Sequence, residues 1–153
     1  MSARETANCI FRSATAADLA DVAAFLSDCG LPAQDLTPEI IAGFELAIAA
    51  DGGLVGQIGL ETFGDIGLLR SLAVAPAWRK HGLGAQLVAR REAAARAAGL
   101  FAVYLLTSSA AEFFRHRGYT EVPRETVPAA IAGHAQFTGL CPSCAHCLVR
   151  HLA

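Results

Sequence analysis

The sequence predicts a mixed α/β sandwich, in which a mixed central sheet of about six to seven strands is flanked by about four helices. Two observations predict this fold class. The first half of the chain reads as one strand, two helices and three consecutive strands, whereas the second half alternates helices with strands. The 153 residues are 54% hydrophobic and 17% charged, which suits one domain around a sizeable core.

The N-terminal elements are marked by helix-start signals. Residues 9–13 form a short apolar stretch that is typical of a first strand. Thr15 then provides a hydroxyl N-cap for a helix with apolar residues at helical spacing, which ends at Gly30. The run Thr37-Pro38-Glu39 predicts a second, short helix in the same way, with Thr37 as the hydroxyl N-cap and proline in the first helical turn, where it is favoured.

Three strands are predicted next. Residues 44–50 and 54–63 flank the turn Asp51-Gly52-Gly53, which is a strong hairpin signal. Residues 65–74 are nearly continuous in apolar side chains. Such a run predicts a central strand that is covered on both faces.

The remaining elements alternate. A helix is predicted over residues 82–98, a buried strand over residues 101–107 and another helix over residues 108–117. Residues 124–153 then form a C-terminal extension with a cysteine-rich turn and a final strand over residues 148–152. No linker separates these elements, so residues 1–153 are predicted to form a single domain.

Charge and hydropathy argue against several classes of protein. The 12 Lys and Arg residues against 14 Asp and Glu residues give a net charge of −2, which offers no basic surface for nucleic acid. Residues 83–106 are the longest candidate for a membrane span, but four charged side chains interrupt them. The opening residues show no apolar segment of a signal peptide, so we expect a cytoplasmic protein.

The stretch from Leu72 to Leu87 is the candidate for chemistry. A buried strand leads through a short loop into Arg-x-x-Gly-x-Gly at a helix start, with Gly82 and Gly84 as the glycines. Backbone N–H groups point outward there and the helix dipole favours an anion, while Arg79 adds positive charge. The stretch lacks the third glycine of a dinucleotide fingerprint and the Gly-Lys-Ser/Thr of a P-loop. Taken alone, it is explained equally well by an ordinary helix start with basic surface residues.

The motif Leu-Ala-Val-x-Pro-x-x-Arg-x-x-Gly-x-Gly, followed by a helix, resembles the acetyl-CoA loop of the GNAT superfamily of N-acyltransferases. The run from Ala110 to Tyr119 resembles the next signature of that superfamily, a helix that ends in glycine plus an aromatic residue. The resemblance implies the GNAT fold, acetyl-CoA as cosubstrate, and main-chain contacts to its pantetheine and phosphates. The implied positions are Leu72, Ala73 and Val74 for the pantetheine, and Arg79, Lys80, His81, Gly82, Leu83, Gly84 and Ala85 for the phosphates.

A narrower resemblance rests on short motifs along the chain. They include Asp35-Leu36-Thr37-Pro38, Leu69-Arg70-Ser71-Leu72 and Tyr104-Leu105-Leu106-Thr107. These motifs look like those of arsenic-resistance N-acetyltransferases, and the layout is also similar to the acetyltransferase domain of N-acetylglutamate synthases. The resemblance implies a small amino-acid-like amine as acceptor, such as an arsenical or phosphinate analogue. An ordinary metabolic amino acid such as glutamate is the alternative, and a homodimer is an open expectation.

The proton of the attacking amine needs an acceptor, and here the sequence departs from its relatives. Many of them carry a glutamate four residues before the Leu72 position, where this chain has Leu68. The nearest carboxylates are Glu61, on the preceding strand, and Asp65, in the turn, and Glu61 is the candidate base. A solvated charge at a strand end also explains Glu61, and an amine that arrives deprotonated needs no base.

Two more side chains are candidates for the site. Thr107 matches, by the resemblance, a serine hydroxyl that glutamate synthases present beside the sulfur, and capping of the next helix is its alternative role. Strand alternation places Arg70 on the same face as Leu68, and an arginine in an apolar strand needs a partner. That partner is either a carboxylate or phosphinate of the substrate or an internal carboxylate, Asp65 or Glu61.

Three cysteines lie close together near the C-terminus, with the pattern Cys-x-x-Cys-x-x-Cys at Cys141, Cys144 and Cys147. Three thiolates can bind a soft ion such as zinc or trivalent arsenic. A CoA-binding protein that senses arsenite is therefore the alternative from another functional class. Reduced thiols around a Pro-Ser turn are the simpler interpretation, and no metal site is predicted.

Overall fold

The computed structural model describes residues 9–135, 137 and 145–152. These residues divide into two compact units. One unit contains the residues up to Leu60 together with Ser71–Ala93, and the other contains Glu61–Arg70 and the residues from Ala94 onward. Each helix in the described part of the chain is too short or too polar to span a lipid bilayer.

Seven strands and five α-helices lie within the described residues. The strands are β1 (Ile10–Ser13), β2 (Phe44–Ile48), β3 (Leu54–Phe63), β4 (Ile66–Val74), β5 (Ala102–Thr107), β6 (Thr120–Glu121) and β7 (His146–His151). The helices are α1 (Leu19–Asp28), α2 (Pro38–Ile41), α3 (Leu83–Ala97), α4 (Ala111–Arg115) and α5 (Ala129–Ala132). The strands form one mixed sheet in the order β1-β2-β3-β4-β5-β7-β6, which confirms the predicted fold class.

The first unit contains β1, β2 and the part of β3 up to Leu60, and these antiparallel strands pair in that order. One face of this sheet joins α1 and α2 in an apolar core, which includes the fully buried side chains Val22, Ile41 and Phe44. The predicted cap of α2 is present, because Thr37 Oγ1 accepts a hydrogen bond from the backbone N–H of Ile40 at 3.2 Å.

Helix α3 packs on the opposite face of β2 and β3. A β-carbon on Gly56 of β3 would lie 3.1 Å from side-chain carbons of both Leu83 and Leu87, so the glycine permits a close approach. Farther along the helix, Arg90 Nε donates to Glu45 Oε2 of β2 at 2.7 Å. The start of α3 therefore packs closely against the sheet, through Leu83 and Leu87 on Gly56.

The second unit contains the only parallel pair of strands for which the described residues give a register. β4 pairs in parallel with β5, and β7 pairs antiparallel with both β5 and β6. The apolar core of this unit includes Ile66 and Leu68 of β4 together with Val127 and Ile131. The segment around α5 thus covers the face of β4 that carries Ile66 and Leu68.

Two predicted helices differ in extent from the structure, and one short strand was not predicted. The first helix begins with a 3₁₀ turn, Ala16–Asp18, before α1. The helix predicted over residues 108–117 is shortened to α4, because Thr107 Oγ1 accepts the N–H of Ala110 at 2.9 Å and holds a turn there. Strand β6 has two residues, too few to show a periodic pattern in the sequence.

Of the three tail cysteines, Cys147 lies in β7, whereas Cys141 and Cys144 fall outside the described residues. The side chain of Cys147 packs in the apolar core of the second unit. Burial raises the pKa of this thiol to about 11. Because the thiolate is the form that binds a soft metal, the surroundings of Cys147 favour a packed thiol.

Candidate active site

The end of β4 has an irregular backbone. Ser71 has a φ of 62°, a left-handed conformation that costs a residue with a side chain about 1–2 kcal/mol. A left-handed residue within a strand interrupts its regular extended backbone, and strained backbone of this kind is frequent at active sites. Leu72, Ala73 and Val74, the positions expected to contact pantetheine, follow directly.

The loop after β4 is short and tied to the strand. A 3₁₀ turn, Pro76–Trp78, comes first, and the Nε of Arg79 then donates to the carbonyl of Val74 at 2.8 Å. Lys80 and Gly82 are both left-handed, with φ values of 66° and 88°. Left-handed residues in a turn direct successive backbone N–H groups toward one side, which is the geometry of an anion-binding nest.

The start of α3 completes this geometry. The N–H of Gln86 donates to the carbonyl of Gly82 at 3.0 Å. The N–H groups of Leu83, Gly84 and Ala85 therefore point out of the helix start, where the helix dipole favours an anion. No described atom lies within 4 Å of a β-carbon built on Gly82, so the loop backbone is open to approach. The consecutive side chains of Arg79 and Lys80 are exposed and add positive charge at this loop, which suits an anion.

A second cluster, which lies in the other unit, joins three side chains. Arg70 Nη1 lies 2.9 Å from Glu61 Oε2, and His134 Nε2 lies 2.7 Å from the same oxygen. The side chains of Arg70, His134 and Glu61 are 1%, 8% and 15% exposed, so the cluster is largely buried. Of the partners considered for Arg70, the structure shows the internal carboxylate Glu61.

The electrostatics of the cluster depend on Glu61. Burial raises the pKa of its carboxyl, but hydrogen bonds from His134 and Arg70 lower it by more, and the pKa falls below its ordinary value. Glu61 is therefore ionised at neutral pH. Its charge is compensated within the cluster, as a largely buried carboxylate requires.

The C-terminal end of α5 positions His134. Ile131 is fully buried in the core of the second unit and anchors the helix. The N–H of His134 donates to the carbonyl of Ile131 at 2.9 Å, which continues the last helical turn past Gly133. The ring of Phe63 meets the imidazole edge-on, with centroids 6.0 Å apart. The imidazole is therefore held by backbone, ring and carboxylate contacts.

The other residues considered as proton acceptors are placed differently. Leu68 is 1% exposed and packs in the apolar core, so the position of the relatives' glutamate carries no polar group here. Asp65 is an exposed turn residue, and its main-chain carbonyl accepts the N–H of Phe101. Of the two carboxylates predicted near the site, Glu61 is the one bound to Arg70.

Thr107 ends β5, where its side chain is half-buried. Its Oγ1 accepts the N–H of Ala110, which is the local role considered as an alternative to catalysis. A hydroxyl that accepts one hydrogen bond still carries one proton to donate. The ion pair of Glu61 and Arg70 does not include Thr107.

Sequence reasoning did not single out His134. Its contact with Glu61 spans 73 residues of the chain, and no periodic pattern links positions so far apart. The one available signal was a histidine directly after Gly133, the residue that ends a short helix within the C-terminal extension. This signal predicts where the backbone of the histidine lies, but it does not predict which residue the side chain contacts.

Comparison with known proteins identifies the fold. The Acetyltransferase (GNAT) domain family matches residues 43–121, which is more than half of the chain. The chain belongs to this family. The match runs from the start of β2 to the end of β6, so it contains the loop before α3 as well as Glu61 and Arg70. GNAT domains use acetyl-CoA, which agrees with the anion-binding geometry of that loop.

The GNAT chain is similar to several curated proteins over part of its length. Amino-acid acetyltransferases of Ectopseudomonas mendocina and Azotobacter vinelandii are 47% and 46% identical to it over 68 residues. Those residues make up 44% of this chain and 16% of each relative. The chain therefore matches about a sixth of the length of these relatives.

Two solved structures resemble the GNAT chain over nearly all of its length. N-acetylglutamate synthase from Neisseria gonorrhoeae, complexed with coenzyme A and N-acetyl-glutamate, matches with a TM-score of 0.80 and 27% identity, over 95% of this chain and 35% of that chain. Rv2747 from Mycobacterium tuberculosis, in complex with CoA, matches with a TM-score of 0.79 and 26% identity, over 94% of this chain and 99% of that chain. Both of these structures contain CoA.

Proposed function

We propose that this GNAT protein transfers the acetyl group of acetyl-CoA to the amino group of a small amino-acid-like acceptor that carries an anionic group. The observation that carries the acceptor class is the buried guanidinium of Arg70 in β4. An arginine fork binds a carboxylate or phosphinate through two parallel hydrogen bonds. The names of the relatives, amino-acid acetyltransferase and N-acetylglutamate synthase, support the same class.

Glu61 is an internal partner with which an acceptor anion can compete. Its Oε2 is shared between Arg70 and His134, so the ion pair with Arg70 uses a single carboxylate oxygen. An acceptor that presents two oxygens to the guanidinium gains the stronger, bidentate arrangement. We therefore propose Arg70 as the residue that binds the anionic group of the acceptor.

The proposed reaction is direct attack of a neutral amine on the thioester carbonyl. The C–N bond forms while the C–S bond breaks, the amine loses one proton, and the CoA thiolate leaves. A backbone N–H near Leu72 donates to the carbonyl oxygen as it gains negative charge. Thr107 accepts from Ala110 and offers its own hydroxyl proton to the sulfur. The loop from Arg79 to Ala85 holds the phosphates.

For the acceptor itself, we propose an arsenical or phosphinate amino acid, which would place the enzyme in arsenic resistance. The support is the set of short motifs similar to arsenic-resistance N-acetyltransferases, of which Leu69-Arg70-Ser71-Leu72 contains the proposed anion-binding residue. Like a carboxylate, a phosphinate or arsenic oxyanion group presents two oxygens to an arginine fork. Glutamate is the rival acceptor, on the names of the relatives.

Acetyl-CoA turnover against a panel of amino acids tests this proposal. The panel contains glutamate, aspartate, phosphinothricin and organoarsenical amino acids with trivalent and pentavalent arsenic. CoA release is followed in parallel with the mass of the acetylated product, so that hydrolysis of acetyl-CoA is not counted as transfer. Each acceptor is paired with an analogue that keeps the amine but in which the group proposed to bind Arg70, a carboxylate, phosphinate or arsenic oxyanion, is removed or esterified.

Each outcome of the panel has a definite meaning. Saturable transfer confined to the phosphinate or arsenical members supports the detoxifying acetyltransferase. If transfer is fastest with glutamate, the acceptor is an ordinary metabolic amino acid, and the proposed reaction, N-acetyl transfer from acetyl-CoA, still holds. Equal turnover of an acceptor and its analogue without the anion would show that the enzyme does not need an anionic group on the acceptor. No transfer to any member, with acetyl-CoA still bound, contradicts the proposed acceptor class.

A further inference from the structure

We propose that the phenolic hydroxyl of Tyr104 in β5 binds a second oxygen-bearing group of the acceptor and thereby selects acceptors that carry two such groups. This inference rests on the proposed function, in which Arg70 binds one anionic group of the acceptor. It narrows the substrate class to amino acids that have, besides the α-carboxylate, a side chain ending in a carboxylate, a phosphinate or an arsenic oxyanion.

Tyr104 lies where β4 and β5 stop pairing. The register that the described residues give for these parallel strands ends at Leu68 opposite Tyr104. β5 continues to Thr107 and is paired along its whole length with β7, on its other side. β4 continues past Leu68 to Arg70, but that register has no further pair with β5. A ligand can therefore reach the sheet beside Tyr104 without breaking a backbone pair between the two strands.

Tyr104 and Arg70 lie on the same face of the sheet. Tyr104 is the direct neighbour of Leu68 across the parallel pair, so the two side chains share a face. In agreement with this, both of them pack in the apolar core of the second unit. Arg70 comes two residues after Leu68, and strand alternation returns its side chain to that face. Arg70 and Tyr104 are therefore diagonal neighbours on adjoining strands.

The guanidinium of Arg70 has Glu61 on one side and the strand of Tyr104 on the other. β4 lies between β3 and β5 in the sheet, and Glu61 of β3 accepts from Arg70 Nη1 at 2.9 Å. An acceptor whose anion competes with Glu61 for Arg70 can extend across β4 toward β5. There the half-buried Leu106, two residues after Tyr104, offers its carbon skeleton an apolar contact. The far end of the acceptor then lies at Tyr104.

The hydroxyl of Tyr104 suits such a contact. The side chain is half-buried, and its ring packs against the apolar core of the second unit. No hydrogen bond joins the hydroxyl to another residue in the part of the chain that the structure describes. Tyrosine hydroxyls that leave water usually have a hydrogen-bond partner. Because an oxyanion only accepts hydrogen bonds and a phenol has one proton to donate, the second group of the acceptor provides a matching partner.

The test compares Tyr104→Phe with Tyr119→Phe, since the chain has only these two tyrosines and each substitution removes one hydroxyl. Tyr119 is 3% exposed, and its ring packs edge-on against Phe114, so it serves as a buried control in the same unit. The acceptor is phosphinothricin, or glutamate if the wild type uses it faster. Two analogues each lack one oxygen-bearing group. 2-Aminobutyrate lacks the side-chain group, and 3-aminopropyl(methyl)phosphinate, or 4-aminobutyrate in the glutamate series, lacks the α-carboxylate.

Tyr104→Phe is expected to lower kcat/KM for the full acceptor by about tenfold or more, mainly through KM, because a hydrogen bond to a charged group is lost. The Kd for acetyl-CoA should not change, and Tyr119→Phe should keep the wild-type KM. One analogue already lacks the group that Tyr104 binds, so its kcat/KM should be equal in Tyr104→Phe and wild type. The other analogue should lose as much as the full acceptor. If an analogue is acetylated too slowly to assay, its inhibition constant against the full acceptor replaces kcat/KM.

Two results would overturn the inference. One is a kcat/KM for the full acceptor within about threefold of wild type in Tyr104→Phe, since a hydrogen bond to a charged group contributes more than this. The other is an equal loss for the full acceptor and both analogues, which would show that the hydroxyl supports the fold or the reacting atoms and binds no second group. The unfolding transition of each variant verifies that it is folded. Failure of the proposed function is distinct, because the wild-type protein would then acetylate no member of the panel.

Discussion

The ring of Phe44 occupies the place that a side chain on Gly59 would need. The two residues are direct cross-strand partners in β2 and β3. A β-carbon built on Gly59 would lie 2.3 Å from Cε1 of the ring, far inside van der Waals contact. Phe44 is fully buried in the core of the first unit, so the ring has little room to move away.

Gly59→Ala is therefore expected to destabilise the protein by about 1–3 kcal/mol, the usual cost of overpacking a core. Chemical denaturation measures this as a lower free energy of unfolding. Gly133→Ala is the control, because its β-carbon would be 3.6 Å from the carbonyl oxygen of Ala129, an ordinary contact. Equal stability of the two variants would mean that the Phe44 ring yields more easily than its burial indicates.

Gly82→Ala is expected to weaken the binding of acetyl-CoA by about tenfold or more, because binding energy depends on close backbone approach and on an unstrained loop. Gly52→Ala is a matched control in the hairpin turn between β2 and β3. Both glycines have a φ of 88°, and no described atom lies within 4 Å of a β-carbon at either position. The two variants should lose similar stability, while titration calorimetry shows weaker binding for Gly82→Ala alone. If both variants lost the same affinity for acetyl-CoA, the cause would be general backbone strain and not a blocked approach to the loop.

Arg70→Lys keeps the positive charge and removes the planar fork. We expect the KM for the anionic acceptor to rise by about tenfold, with the Kd for acetyl-CoA unchanged, since lysine cannot form the bidentate pair. Arg91→Lys is the control, because Arg91 is partly buried and, like Arg70, pairs with a glutamate, which is Glu45 at 3.1 Å. An unchanged acceptor KM in Arg70→Lys would show that Arg70 serves only its internal pair.

Ionisation of the Asp18 carboxyl is expected to make the free energy of unfolding depend on pH. Hydrogen bonds from the Arg12 guanidinium, both at 2.9 Å, and from the N–H of Thr15 hold the pKa of this carboxyl well below its usual range. A carboxyl whose pKa is lowered in the folded state stabilises the protein above its unfolded pKa, about 4, and this contribution is lost as the pH falls below that value.

The measurement for Asp18 is the free energy of unfolding at pH 7 and pH 3. Asp18→Asn should be less stable than wild type at pH 7 and should lose less stability between the two values. Asp21→Asn, at an exposed position on α1, controls for the removal of one negative charge. Wild type and Asp18→Asn with the same pH dependence would contradict the assignment.

The sequence predicted local structure well, because local structure follows from neighbouring residues. The cap of α2 by Thr37 and the hairpin turn at Asp51-Gly52-Gly53 each involve only a few neighbouring residues, and both are present as expected. The loop before α3 belongs to the same class, since the spacing of Arg79, Gly82 and Gly84 is set along the chain. Such features need no knowledge of the tertiary fold.

Contacts between distant residues were predicted only in part. Glu61 was one of two internal carboxylates considered as the partner of Arg70, beside an anion of the substrate, and the structure shows this pair. The contact of His134 with Glu61 was missed, since it depends on how α5 lies on β4 and on no repeated spacing. The shortened α4 was missed because a hydroxyl competes locally with helix formation.

The position of β7 in the sheet has a consequence for how the protein is made. β7 is the last described strand along the chain, yet it lies between β5 and β6. A ribosome releases β5 and β6 before residues 146–151 exist, so the edge of β5 that later pairs with β7 stays open during synthesis. The second unit can therefore complete its sheet only after translation of β7, and until then the nascent chain presents an edge strand that chaperones can bind.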